Sequence, residues 1–402
     1  MTAPSGIERR LSSIRRFAVL AALGCGLVAA SAGAETFQSA APIALVQDYE
    51  SGAILYEKNA DQPMSPGQTV KLMTADLVFK ELAEGRLHLD YKLTVSENAW
   101  RTGGAHGHST AMFLDVKSQA RVEDLLRGLS VESGNDSAIV FAESISGSED
   151  AFTSLMNKRA QELDLAKTRF ANSYGKSDSE QRTTARDMAT LAAHLIRAWP
   201  DGYKYFGEKD FTWNKIHQLN RNPLIGLGIG ADGIMAGDTV DGGFGLVGSA
   251  VEDGQRLIVV VNGVKTSAER SEEARKLFNF GFHAFDPRVL FRPGDTVGSA
   301  SVYGGSAGSV ELTCSETAKV FIPHGSTERL LAKIVYTGPL VAPVTEGAEV
   351  GRLQIYRGAA LSLELPLKTK AAIGQGSLAR RALDALLEVA GSWVRHLIKR
   401  NG

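Results

Sequence analysis

Three short stretches set groups fit for chemistry inside otherwise apolar sequence. Pro66-Gly67-Gln68-Thr69-Val70-Lys71-Leu72-Met73-Thr74 opens a helical run and contributes one amine, Lys71. Ser133-Gly134-Asn135 lies between two further apolar helical stretches and offers a hydroxyl and an amide. Met235-Ala236-Gly237 lies on a strand and offers a thioether, a methyl group and a hydrogen. A hydroxyl and an amine within reach of each other suit nucleophilic catalysis, in which the amine moves the proton of an attacking oxygen. The attacking oxygen is the difficulty. Gln68 carries an amide nitrogen conjugated to its carbonyl, which is no nucleophile. Ser65 stands six residues before Lys71 and behind Pro66, outside the helix. Thr69 is two residues from Lys71 and points elsewhere, and Thr74 is a turn deeper, towards the core.

Other signals are weaker. Gly107-His108-Ser109-Thr110-Ala111 faintly resembles a hydrolase nucleophile elbow, but no strand precedes it and no helix follows, so it reads as a surface loop. His106 and His108 have no histidine or carboxylate partner placed to complete a metal site. Gly226-Leu227-Gly228-Ile229-Gly230 precedes a strand instead of following one, which suits a loop at the rim of a site and not a dinucleotide cradle. The residues point to no metal and no cofactor.

The elements that must position these groups follow from periodicity. Ile43, Leu45 and Val46, then Ala53 and Leu55, flank Asp48-Tyr49-Glu50-Ser51-Gly52 as a hairpin. From Thr69 the spacing of Leu72, Met73, Ala75, Leu77, Val78 and Leu82 is helical, ending near Gly85. Leu125 and Leu129, then Ala138, Val140 and Phe141, predict buried helices on either side of Ser133-Gly134-Asn135. Helices are expected over 151–163, 185–198 and 271–281, the last with Phe278 and Phe282 inward. Residues 233–237, 244–251 and 256–264 read as successive strands. Strands, then helices, then strands describe an α+β domain with a largely antiparallel sheet. From Val289 to Leu367 short β runs and Gly-rich turns predict a small all-β domain.

The 402 residues suffice for two domains; 44% hydrophobic and 22% charged residues are ordinary for a globular chain. A formal net charge of -1 gives no reason to expect nucleic acid as a partner. Arg9, Arg10, Arg15 and Arg16 precede an apolar run from Phe17 to Ala30, and Ala32-Gly33-Ala34 supplies small residues for cleavage. That pattern is a secretory signal over 1–34. Cleavage leaves one cysteine, Cys314, read as buried and structural. At the other end, Leu378, Ala382, Leu386, Val389, Trp393 and Leu397 form one helical stripe flanked by Arg380, Arg381, Arg395, Lys399 and Arg400. Residues 377–400 therefore read as an amphipathic helix for an anionic membrane surface, with docking on the protein itself as the alternative. The expected division is a signal peptide at 1–34, the α+β domain at 35–285, the β domain at 286–370 and the amphipathic segment at 371–402.

In their order and context, the three stretches resemble those of the low-molecular-weight D-alanyl-D-alanine carboxypeptidases, a penicillin-binding family of serine peptidases. There they read Ser-x-x-Lys, Ser-x-Asn and Lys-Thr-Gly. The resemblance runs from about Ala41 to Arg400. It includes Ser133-Gly134-Asn135-Asp136-Ser137-Ala138, Asn172-Ser173-Tyr174-Gly175, Thr184-Ala185-Arg186-Asp187-Met188 and Asn220-Arg221-Asn222-Pro223-Leu224. It implies a DD-peptidase/β-lactamase-like domain and acyl transfer from a peptidoglycan stem peptide. In that scheme Lys71 is the base, Ser133 a proton relay and Asn135 the positioning amide. Gln68 stands in the place of the nucleophilic serine, and Met235 and Ala236 replace the lysine and threonine that hold the substrate carboxylate beside Gly237. The expectation is a periplasmic protein, peripheral on the outer face of the inner membrane, that binds stem peptides or the cell-wall machinery with impaired catalysis. An active carboxypeptidase and a structural adaptor are the alternatives.

Overall fold

β1 (Ile43–Asp48) and β2 (Ile54–Lys58) form the expected hairpin, and the chain then turns inward. The computed structural model describes residues 37–107, 110–239 and 242–382. Residues 39–402 make one compact unit and 1–38 another, of which only 37 and 38 are described. The expected signal segment thus lies outside the described residues. A 3-10 turn (Gly67–Val70) feeds α1 (Lys71–Ala83), whose residues from Lys71 to Phe79 are all buried. A helix buried on every side, with Lys71, Thr74 and Asp76 among its buried residues, belongs at the centre of a helical layer. Around it lie α2 (Val122–Ser130), α3 (Asn135–Ser146), α4 (Glu149–Glu162), α5 (Ala185–Ala198) and the single turn α6 (Pro200–Tyr203). A two-stranded antiparallel pair, β3 (Lys92–Thr94) with β4 (Gln119–Arg121), and a hairpin, β5 (Asp210–Trp213) with β6 (Ile216–Leu219), were not expected.

β7 (Ala231–Thr239), β8 (Gly243–Glu252) and β9 (Gln255–Val264) complete a five-stranded antiparallel sheet in the order β2-β1-β9-β8-β7. Alternation along β9 assigns its two faces. Ile258 and Val260 join the core shared with the helical layer. Leu257 turns the other way, against Gly281 of α7 (Ser267–His283). α7 begins earlier than periodicity predicts because Thr266 caps it, accepting from the Glu269 amide. Its Phe278 is buried, as expected, but Phe282, stacked on it with ring centres 6.2 Å apart, is only half-buried.

From Phe285 the chain is all β: β10 (Phe285–Phe291), β11 (Gly298–Tyr303), β12 (Ser309–Cys314), β13 (Ala318–Pro323), β14 (Leu330–Tyr336), β15 (Leu340–Val341), β16 (Glu349–Arg357) and β17 (Ala360–Thr369). Six of them pair as β14-β16-β17-β12-β11-β15. Leu312, Leu353, Ile355 and Leu367 fill the core, with Cys314 buried among them as a free thiol. Phe280 and Phe285, 5.2 Å apart, join this domain to the first through Phe321 and Ala53. Of the expected C-terminal helix, only a turn at 378–382 is described; the rest lies outside the described residues. No described helix is long and apolar enough to cross a membrane.

Candidate active site

The turn before α1 is held by a close backbone approach. Gly175, at φ +96°, packs so tightly that a Cβ there would lie 2.4 Å from the Gly67 carbonyl oxygen and 2.8 Å from Gln68 Cα. Lys71, the first residue of α1, is fully buried and aims its Nζ at Ser133, donating to Oγ at 3.2 Å. Ser133 sits between α2 and α3 at φ +57°, a left-handed conformation that costs a side-chain-bearing residue about 1–2 kcal/mol. Hydrogen bonds hold it there. The Gly134 amide donates to the Gly128 carbonyl at 2.8 Å, and Thr110 Oγ1 donates to the Ser133 carbonyl at 2.7 Å. The Asn135 amide donates to the Thr110 carbonyl at 2.9 Å. Buried Asp136 then accepts from the Met112 and Leu114 amides at 2.9 and 3.1 Å, stitching the 110–114 loop to the start of α3.

β7 forms the opposite wall. Met235 is buried with its Sδ 3.9 Å from Ser133 Oγ, so a thioether caps the hydroxyl. Gly237 passes close to the turn: a Cβ there would come within 3.2 Å of the Gln68 backbone nitrogen. Gln68 then reaches across, and its Oε1 accepts from the Asp238 backbone amide at 2.6 Å. Thus Gln68, Lys71, Ser133 and Met235 are brought together, from segments more than 160 residues apart.

Burial pushes the Lys71 amine down to about 7, with Arg221 acting in the same direction and the Asp136, Asp238 and Glu132 carboxylates opposing. A substantial fraction of Lys71 is therefore neutral near neutral pH and able to accept a proton. Arg221 pairs with the buried Glu132 at 2.5 Å. Burial also raises the Asp136 carboxyl, against the backbone amides that donate to it. Base and hydroxyl are in place. The hydroxyls of α1 and the turn before it are engaged elsewhere: Thr69 Oγ1 donates to the Pro66 carbonyl at 2.6 Å, and Thr74 Oγ1 donates to the Ser173 carbonyl at 2.7 Å.

One residue near this site carried no signal in the sequence. Arg270, on α7, is 6% exposed and stacks 5.7 Å from the Phe244 ring, and Phe244 lies directly opposite Asp238 across the β7–β8 ladder. Its Nε has no hydrogen-bond partner among the described residues. Burial lowers its affinity for the proton, with Asp238 opposing. In sequence it is one arginine among the charged residues of a helix. His106 packs edge-on against Trp100, ring centres 4.4 Å apart; His108 and Ser109 lie outside the described residues. No cluster of three metal-binding side chains occurs among the described residues.

A fold with a buried lysine aimed at a serine between two helices, beside the edge strand of an antiparallel sheet, is that of the penicillin-binding proteins. Comparison narrows this class. Residues 29–266 match the D-alanyl-D-alanine carboxypeptidase family, and residues 285–375 match the C-terminal domain of penicillin-binding protein 5. D-alanyl-D-alanine carboxypeptidase DacC of Escherichia coli is 36% identical over 87% of this chain and 88% of its own length. DacA of Haemophilus influenzae is 36% identical over 86% and 88%. The crystal structure of penicillin-binding protein 5 from Haemophilus influenzae superposes with a TM-score of 0.77, over 85% of this chain and all of that one, at 36% identity. The chain belongs to the D-alanyl-D-alanine carboxypeptidase family.

Proposed function

We propose that this family member binds peptidoglycan stem peptides in the cell envelope and has lost acyl transfer. The observation that carries the reading is the Gln68 side chain, which stands at the nucleophile position and spends its carbonyl on the Asp238 amide. Removing the nucleophile of a serine peptidase costs on the order of a millionfold in rate. Lys71 has the basicity to activate a hydroxyl, but the one it touches, on Ser133, is 2% exposed and capped by Met235. Arg270 supplies a positive charge on the side of the groove where Met235 and Ala236 provide none, which supports continued recognition of a peptide carboxylate. The roles of base, relay and positioning amide for Lys71, Ser133 and Asn135 belong to this proposal. So do the division at 34, 285 and 370, export through the N-terminal segment, and attachment to the outer face of the inner membrane through 377–400.

The test is incubation of the purified mature protein with a labelled penicillin, alongside an active relative, followed by intact-mass analysis. The expected result is no adduct on this protein. An adduct would restore the enzymatic reading, and peptide mapping would name the nucleophile. Ser133, already hydrogen-bonded to Lys71, is the residue on which it would fall.

A further inference from the structure

β7 is an edge strand, paired on one side with β8 and on the other with no strand among the described residues. Along an extended strand, backbone groups point the same way every second residue. The Asp238 amide faces away from β8, because Gln68 takes it, so Ala236 presents its amide and carbonyl on the same outer edge. Such an edge is a template on which an extended peptide adds as one more strand, its carbonyls accepting from the outward amides. The Gln68 carboxamide has the same acceptor as a peptide carbonyl, and it already occupies one of those donors. The contact is built into the fold by the close approach of Gly237 to the turn, which brings position 68 within reach of β7. Gln68 is only half-buried, so part of its side chain faces solvent and can swing away from β7.

We infer that Gln68 is an internal competitor for the β7 edge, and that it sets the affinity threshold of the groove for an extended peptide. This rests on the peptide-binding reading above. A docking peptide regains the Asp238 hydrogen bond only by displacing the one Gln68 makes, so its net gain at that position is close to zero. With the side chain removed, the same peptide gains that bond in full. The alternative is a strut, in which Gln68 fastens the turn to β7 and its removal loosens the groove.

The experiment measures binding of diacetyl-L-Lys-D-Ala-D-Ala by the full mature chain and by Gln68→Ala and Gln68→Met. The methionine keeps the length of the side chain and removes the acceptor. Both variants are expected to bind about three- to tenfold more tightly than the parent, the value of one typical net hydrogen bond. In both, the Asp238 amide should exchange with deuterium faster than in the parent and slow again on adding peptide. Binding by the variants alone supports the competitor in its strongest form. Equal or weaker binding by the variants, with the parent binding, overturns the competitor and leaves the peptide-binding reading standing. Binding by none of the three overturns that reading and the competitor with it.

Discussion

The two walls of the groove have fared differently. The helical wall keeps its polar machinery: Lys71 hydrogen-bonded to Ser133, Thr110 and Gly134 holding the left-handed Ser133, and Asp136 stitching the neighbouring loop. The sheet wall keeps only its backbone. Met235 and Ala236 present apolar groups, and Gln68 engages the strand from its outer edge. The contrast teaches that one wall of a groove can be apolar while the backbone that frames it stays regular. Asp136 is harder to give up, since deleting it strands the Met112 and Leu114 amides without water.

The largest effect should come from repairing the altered groups alone. Gln68→Ser with Met235→Lys and Ala236→Thr is expected to raise the rate of penicillin acylation by on the order of a thousandfold or more, given what a nucleophile contributes. Continued inertness of the triple variant, read by intact mass, would show that the helical wall is also remodelled.

Next comes the support beneath the helical wall. Asp76, on α1 and fully buried, accepts from Arg159 Nε at 2.7 Å and Trp199 Nε1 at 2.6 Å, and pairs with His194 Nε2 at 2.9 Å. Asp76→Ala leaves these groups unmatched and should cost about 3–5 kcal/mol in denaturant unfolding. Burial pushes this carboxyl up, but the His194, Arg159 and Trp199 donors outweigh it and hold it below its ordinary value. Its contribution is therefore present above the unfolded value of 3.8 and is lost as pH falls through the lower folded value. The parent should lose stability in acid more steeply than the variant.

The smallest effect has the opposite sign. Lys71 is held near 7 in the fold against an ordinary value of 10.5, so between those values the unfolded chain carries a proton that the folded one lacks. Stability consequently rises with pH across that window. Lys71→Met should stabilise the protein by on the order of 2–4 kcal/mol at pH 7, with the gain shrinking towards pH 10. A gain independent of pH would mean that the buried amine carries no such penalty, and that retaining it needs no functional explanation.

Particular elements show where sequence reasoning reached and where it stopped. α5 spans the residues its apolar spacing predicts, 185–198, because Thr184 caps one end and Pro200 stops the other. α4 and α7 begin earlier than predicted, at Glu149 and Ser267, because Ser148 and Thr266 act as N-caps. The Thr266-x-x-Glu269 pattern was a legible signal for the second. The β5–β6 hairpin was missed although Asn214 and Lys215 form its two-residue turn with positive φ, a conformation that asparagine tolerates. Arg270 was beyond reach, since a helix of mixed charge does not disclose which arginine turns inward.

By itself the sequence determined the family, the order of the main helices and strands, and the glutamine at position 68. Each of these rests on residue type or local period, and both are properties of neighbouring residues. Tertiary structure alone decided that Gln68 reaches the Asp238 amide, that Met235 caps Ser133, and that the Lys71 amine is held near 7. Those facts depend on distance and burial among segments far apart in the chain, which exist only once the sheet and the helical layer have closed on each other.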